Sequence, residues 1–322
     1  MDNFPLVTII TPTYKGSETL FGAISSILIQ TYTSIEYILI DDGTKGFNKE
    51  LVENFIEKNK RDNLVKYCVL VNKRNIGTVK TFNNALKISS GEYIFNLADD
   101  DEFYDENVLF DWVNEFIKTG ESIITGNRIV YDNSLLNVIT KEPNDLDKEF
   151  IKNSSPEDLF EKMAGYNMVF GCSTARKKSL LDSVDGFDER YRIIEDYPSN
   201  LRFLRMGIRI HYFDRDVVKY RLGGISFSER VDNRYFRESD KIFKNEIAPY
   251  VKDKASAKEK YKDWSNKIRY LNRKKELETL FSKYPNNKMA RFFIYLGYSF
   301  RHPLHVMKRY IDDPAIIFKK LR

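Results

Sequence analysis

Three successive carboxylates, Asp99, Asp100 and Asp101, follow an apolar run in the segment GEYIFNLADDDEF, Gly91 to Phe103. Left buried without partners such charges are costly, so they must meet water, a cation or a metal. A hard divalent ion, Mg2+ or Mn2+, takes oxygen ligands and completes its shell with diphosphate oxygens, so one or two of these carboxylates suffice to hold it. The bland alternative is a solvated acidic turn or helix start, where Asp is favoured anyway. A second pair, Glu195 and Asp196, opens a helical pattern in GFDERYRIIEDYPSNLRFLRMG, where Leu201, Leu204 and Arg205 recur. Backbone N–H groups at a helix start polarise and orient a carboxylate. That suits a general base taking the proton of an attacking hydroxyl, with a plain N-terminal cap as the alternative.

The elements that must position these groups are legible in the periodicity. Leu6 to Thr11 is a β-branched apolar run closed by Pro12 and Thr13, and reads as a first buried strand. Leu20, Ala23, Ile24, Ile27 and Leu28 share one helical face before a second strand, Ile35 to Ile40. A helix near Lys49 to Lys60, a strand near Val65 to Val71, a helix near Val79 to Ile88 and a strand from Glu92 to Leu97 continue the alternation. This predicts a mostly parallel sheet with helices on its faces. Ligands bind such sheets beyond the carboxyl ends of the strands. Asp41 with Asp42, and Asp99 to Asp101, each follow an apolar strand and therefore point to one rim. Further on, Trp112, Phe116 and Ile117 mark a helix, Ser122 to Thr125 a strand, and the polar stretch from Asn133 to Glu157 a long loop. From Arg230 the composition turns to charged helix, which places a boundary there.

Composition excludes several classes. With 42% hydrophobic, 14% aromatic and 31% charged residues the 322-residue chain has material for a large core and is not disordered. Cys68 and Cys172 are the only cysteines and stand at no metal-ligand or redox spacing, which fits a reducing compartment. No basic leader precedes an apolar stretch, and no segment approaches the roughly 20 apolar residues of a membrane span, so a cytoplasmic location is expected. The net charge of +5 belongs to the C-terminal end: from Asn286 to Arg322 eight Lys or Arg face two Asp. The rest of the chain needs no nucleic-acid explanation.

VTIITPTY from Val7, IDDGT from Ile40, NIGTVKTFNNAL from Asn75, SGEYIFNLADDDEF from Ser90 and the pair Glu195 and Asp196 occur in an order that resembles family 2 glycosyltransferases with a GT-A fold. The resemblance covers roughly the first 230 residues. It implies an α/β fold, a Rossmann-like, mostly parallel central sheet flanked by helices, with a C-terminal helical appendage. It further implies a donor half over residues 1–104, an acceptor and catalytic-base half over 105–230, and a helical basic-aromatic region over 231–322. Carried over by position, Pro12, Thr13 and Tyr14 match the loop around the nucleotide base and Asp42 the carboxylate that reads the uracil or ribose side. Asp99 lies by the ribose, Asp100 is the metal ligand with Asp101 in support, and Asp196 is the base. Glu195, Gly223, Gly224 and Ser226 belong to the acceptor or diphosphate loop. Two positions depart from the pattern: Ala98 stands where many relatives have Asp, and Phe82 where an arginine is often found, leaving Lys80 to supply charge near the donor. The implied reaction is an inverting, metal-dependent (Mn2+ or Mg2+) transfer of a hexosyl or N-acetylhexosaminyl group from a UDP-sugar to a saccharide hydroxyl.

The C-terminal segment MARFFIYLGYSFRHPLHVMKRYIDDPAIIFKKLR interleaves Phe292, Phe293, Tyr295, Tyr298 and Phe300 with Lys and Arg. Such a mixture suits the surface of an anionic membrane, or packing on the catalytic domain or a second subunit. With a membrane-bound tail, a lipid-linked acceptor in capsule, O-antigen or wall polysaccharide assembly is expected. Two rival functions are a sugar-phosphate nucleotidyltransferase, for which PTYKGSET offers only one glycine and one lysine to a triphosphate, and a non-catalytic sugar-nucleotide-binding protein.

Overall fold

Val7–Thr13 forms β1, whose alternating side chains are buried on both faces, as a central parallel strand requires. In the computed structural model, which describes residues 4–15, 19–222, 233–259, 261–263, 266, 289, 290, 293, 294 and 296, the first half is a run of βα units. It contains α1 (Leu20–Leu28), β2 (Ile35–Asp41), α2 (Lys49–Asn59), β3 (Leu64–Val71), α3 (Thr78–Ile88) and β4 (Tyr93–Asn96). The strands pair in parallel in the order β3-β2-β1-β4. The register sets Thr13 beside Asp41 and Ile10 beside Asn96, so the segments that follow these strands leave the sheet at one rim.

The second half completes the sheet in mixed sense. It comprises β5 (Glu102–Phe103), α4 (Val108–Thr119), β6 (Ile123–Tyr131), β7 (Val138–Glu142), α5 (Asp145–Asn153), α6 (Pro156–Met163), β8 (Thr174–Lys177), α7 (Lys178–Ser183), α8 (Asp196–Arg205), β9 (His211–Arg221) and α9 (Asn233–Ile242). β8 runs antiparallel to both β4 and β6, β9 runs parallel to β6, and β5 and β7 add antiparallel edges to β9 and β6.

Two apolar layers sandwich the sheet. One holds Ile9, Tyr37 and Leu39 against α1, α2 and α4, with Phe95 edge-on to Trp112 at 5.2 Å. The other holds Ile10, Ile38 and Ile40 against α3, α6 and α8. Ile242, Ile247, Val251 and Ala257, which follow the charged stretch after Arg230, are buried in this second layer.

Two expectations are corrected. The strand at residues 122–125 extends to Tyr131, because β9 pairs along its full length. The polar stretch at 133–157 is not a loop: it contains β7, which pairs with β6, and α5, capped by the Asn144 side chain accepting from the Asp147 N–H and buried through Ile151. Both elements bury few apolar side chains, so their periodicity is weak. Gly223, Gly224, Ser226 and most of the basic-aromatic tail lie outside the described residues. Among the described residues no helix is long and apolar enough to cross a membrane.

The base of the sheet is tied by one buried acid. Glu36 on β2 is 3% exposed and accepts from the Thr8 hydroxyl, the Ser90 N–H (2.7 Å), the Gly91 N–H (3.2 Å) and the Lys66 ammonium (2.8 Å). Burial alone would raise this carboxyl, but the bonds from Lys66, Thr8 and Ser90 outweigh it and hold its pKa below the ordinary value. A depressed folded pKa contributes stability above the unfolded value, and that stability is lost as the pH falls through the folded one. Glu36→Ala, which strands these donors, should cost about 2 kcal/mol or more in denaturant unfolding. Glu36→Gln should flatten the acid side of the stability profile, and an unchanged acid slope would show that Glu36 carries no such linkage.

Candidate active site

The rim residues divide into those that hold loops and those left open. Asp42 belongs to the first kind. It is 4% exposed, and its oxygens accept the Ile76 N–H (2.8 Å), the Gly77 N–H (2.8 Å) and the Asn72 amide (3.0 Å). The carboxylate expected to read the nucleotide therefore also fixes the loop entering α3. Its neighbour Asp41 accepts the Thr44 N–H at 2.8 Å, and the Thr44 hydroxyl accepts the Lys15 N–H at 2.6 Å. This holds Pro12, Thr13 and Tyr14 beside the end of β2. Thr13 is buried, whereas the Tyr14 ring is 47% exposed with the Lys15 ammonium 5.5 Å from its centroid. An exposed aromatic face at a strand end can stack a planar base.

The three aspartates after β4 differ. Asp99 accepts from the Thr13 hydroxyl, and burial, with the charges of Asp100 and Asp41 adding, pushes its pKa up to about 6. Asp100 is half-buried, and its backbone carbonyl accepts from the Arg221 Nε at 2.9 Å. Burial raises its pKa and the Arg221 charge opposes that. Asp101 lies beneath the rim, 1% exposed, with one oxygen accepting the Arg221 N–H at 2.9 Å and the other without a partner among the described residues. Burial and the Asp100 charge hold it well above the usual carboxylate range.

No cluster of three or more metal-ligating side chains occurs among the described residues. A site that relies on diphosphate oxygens needs fewer, and the half-open Asp100 beside Asp99 fits a hard cation of that kind. Ala98 supplies no further oxygen.

Glu195 sits at the N-cap of α8 but makes no capping bond. Its Oε1 instead accepts from the Asn96 amide at 3.3 Å, which joins the end of β4 to the start of α8. Burial, then the adjacent Asp196 charge, pushes Glu195 to about 8. Asp196 accepts the Gly171 N–H at 2.9 Å, the Asn167 amide at 3.2 Å and the Tyr197 N–H at 2.7 Å. Its partners are amide donors, which orient a carboxylate without neutralising it. A Cβ on Gly171 would come within 3.0 Å of Glu195 Oε1 and 3.1 Å of Asp196 Cβ, so the pair packs tightly over this glycine. Behind it lies Arg176, 3% exposed and bonded to Asn200 at 2.7 Å, its pKa lowered to about 10 by burial. Burial pushes the nearby Cys172 thiol up, with the Asp101 charge adding and the Arg128 charge opposing.

Several rim residues were missed in the sequence. Arg192 bonds the Ile76 carbonyl at 3.0 Å and the Asn75 carbonyl at 3.1 Å. Arg128 pairs with Glu142 at 2.6 Å and lies between the rings of Phe170 (3.5 Å) and Tyr220 (4.3 Å). Their partners stand far away in the chain, so no spacing announces them. Phe82 is buried edge-on against Phe187 at 5.0 Å and faces the core rather than the rim. Lys80 is paired at 3.7 Å with Glu189, both half-exposed, and the structure shows no bond from it to the rim aspartates.

Gly77 has φ +98°, and a Cβ there would lie 2.4 Å from Arg192 Cγ and 2.7 Å from its carbonyl oxygen. Gly77→Ala should cost about 2–3 kcal/mol in denaturant unfolding, strain and collision together. Gly46→Ala, at φ +79° with nothing within 4 Å, should cost only about 1 kcal/mol. Equal costs would contradict the tight seating of Arg192.

The model of the family "Glycosyl transferase family 2" matches residues 8–184. An uncharacterized glycosyltransferase of Rickettsia typhi is 27% identical over 216 residues, covering 66% of this chain and 63% of that protein. The uncharacterized glycosyltransferase EpsJ of Bacillus subtilis is 26% identical over 226 residues, covering 70% of this chain and again 63% of the relative. The chain thus spans less than two thirds of the length of these relatives. Staphylococcus aureus TarS 1-349 in complex with UDP-GlcNAc superposes with a TM-score of 0.59 at 18% identity, covering 86% of this chain and 80% of that one. The mannosyltransferase PcManGT of Pyrobaculum calidifontis, in complex with GDP-Man and Mn2+, gives 0.58 at 15% identity over 93% of this chain and 81% of that one. The curled α/β sheet is accordingly of the GT-A type. With its family model spanning more than half of the sequence, the chain belongs to glycosyl transferase family 2.

Proposed function

We propose that this chain is an inverting glycosyltransferase that moves a sugar from a UDP-sugar to a hydroxyl of a saccharide acceptor. The carrying observation is that Asn96 bonds Glu195, which brings Asp196 to the rim where Asp99 and Asp100 leave the sheet. The bound nucleotide-sugars of TarS and PcManGT support the donor class, and the Mn2+ of PcManGT supports a divalent cation.

In this reading Tyr14 stacks the base, Pro12 and Thr13 shape its pocket, and Asp99 meets the ribose, with Asp42 keeping that wall in place. Asp100 would hold Mn2+ or Mg2+ together with the donor diphosphate. When bound, the cation supplies positive charge at the leaving group. Asp196 removes the acceptor proton as the hydroxyl oxygen bonds to the anomeric carbon, and the carbon–oxygen bond to the diphosphate breaks with its electron pair leaving on the nucleoside diphosphate. A single displacement inverts the anomeric centre and needs no covalent nucleophile. Residues 1–104 serve the donor, 105–230 the acceptor and base, and Gly223, Gly224 and Ser226 the acceptor or the diphosphate.

The reaction is tested by nucleoside diphosphate release from a panel of UDP-, GDP- and dTDP-sugars, with and without Mn2+. We expect release from a UDP-sugar to depend on Mn2+. Release of pyrophosphate from UTP and a sugar phosphate would favour a nucleotidyltransferase instead, and binding without turnover a sensor. Asp196→Asn should lower turnover at least a hundredfold, within the range for a general base, while calorimetric UDP affinity stays within about twofold. Asp100→Ala should weaken Mn2+-dependent UDP binding about tenfold or more. Full turnover in Asp196→Asn would remove the base assignment.

The basic-aromatic tail supports a cytoplasmic enzyme resting on an anionic membrane, with a lipid-linked acceptor in surface polysaccharide assembly. Deleting residues 289–322 should abolish sedimentation with phosphatidylglycerol vesicles. Sedimentation equal to that of the full chain would place the membrane contact elsewhere or nowhere.

A further inference from the structure

Residues 188–194, which lead to the Glu195 and Asp196 pair, form neither helix nor strand. Their amides have no ladder to join, so acceptors must come from elsewhere. One residue serves three of these amides with its two oxygens. Glu238, on α9 and beyond the residues matched by the family model, accepts the Arg192 N–H on one oxygen at 2.8 Å. Its other oxygen accepts the Ile193 N–H at 2.9 Å and the Ile194 N–H at 3.1 Å. Successive N–H groups converging on one anion make a nest, and bonds to an ionised acceptor are roughly twice as strong as neutral ones. Here the anion is a side chain of the protein itself.

Arg192 extends the linkage in the opposite direction. Its guanidinium bonds the Asn75 and Ile76 carbonyls, and its own carbonyl accepts the Val79 N–H at 3.2 Å. The Ile76 and Gly77 amides end on Asp42. A continuous run of hydrogen bonds thus leads from the end of β2, through the loop before α3 and Arg192, to the residue that precedes Glu195. The π-helical stretch Phe243–Ile247 after α9 is anchored to the same segment and to α8, since Glu246 accepts from Arg190 (2.8 Å) and Tyr191 (3.0 Å) of the segment and from Arg205 (2.7 Å) of α8.

We propose that Glu238 is a positioning residue that sets the placement of Asp196 against the donor side of the rim by collecting the amides of residues 192–194. The inference rests on Asp196 being the base. It makes α9 part of the catalytic unit rather than an accessory to it. Glu238 touches no reacting atom in this account; it acts through the backbone it holds.

Glu238→Gln tests this, because it keeps the volume but removes the charge and one of the two acceptor oxygens. Three readouts are expected together. Hydrogen exchange of the 192–194 amides should accelerate at least tenfold while peptides of β1 and β4 keep their protection. Calorimetric affinity for UDP with Mn2+ should stay within twofold. The kcat for nucleoside diphosphate release from the preferred UDP-sugar should fall at least tenfold at unchanged donor KM. Glu238→Asp, which restores the charge one methylene short, should recover part of that loss. Wild-type kcat or unaltered exchange in Glu238→Gln, in a series where Asp196→Asn is inactive, overturns the positioning role alone. Protection lost throughout the sheet shows a general structural role and overturns it equally. Turnover retained by Asp196→Asn overturns the base reading, and this inference with it.

Discussion

Asp42 accepts the N–H groups of Ile76 and Gly77, and the rest of the rim is assembled outward from that pair of bonds. A site at the carboxyl ends of parallel strands is made of connecting loops, whose amides and carbonyls cannot pair within regular structure. In this chain carboxylates serve many of those amides: Asp42 for residues 76 and 77, Asp41 for Thr44, Asp101 for Arg221, Asp196 for Gly171 and Glu238 for residues 192–194. Arginines serve the carbonyls, with Arg192 on Asn75 and Ile76 and Arg221 on Asp100. The backbone groups of these loops thus end on carboxyl and guanidinium side chains rather than on a strand or helix.

The same arrangement concentrates negative charge, and the sheet manages it unevenly. Asp99 and Glu195 are shifted to about 6 and about 8 chiefly by burial, so both hold protons more readily than free carboxyls do. Arg176 and Arg128 lie buried close by, and each is held by an oxygen partner and an aromatic ring. A cationic ligand at the rim would relieve the crowding at Asp99 and Asp100, and an anionic diphosphate alone would worsen it. Donor and cation are therefore expected to bind together.

Much of this was legible in the residues, and the reasons differ by element. β1, β2 and β4 show in the sequence because parallel strands buried on both faces are continuous apolar runs, and α1 and α3 show because each buries an apolar stripe. Strand-end acids at Asp42, Asp99 and Asp100 follow from the same boundaries. β7 and α5 stayed hidden because they cover the sheet edge with few apolar side chains. The supporting shell was illegible for a different reason. Asp42 has partners some 35 residues away, Arg192 more than 115 and Glu238 about 45, so their pairing exists only in three dimensions. Phe82 could be read as a departure from its relatives, but only its packing on Phe187 shows that the position has left the rim for the core.

In the proposed reaction donor and cation meet at the strand-end rim with Asp196 facing the sugar. This arrangement is tested most directly by a crystal structure with Mn2+ and an intact UDP-sugar, the metal located by its anomalous scattering. The anomalous peak is expected beside Asp100 and the diphosphate, the base against Tyr14, and the anomeric carbon open on the side of Asp196. A nucleotide bound away from β1 and β4, or a metal peak remote from Asp100, would contradict it.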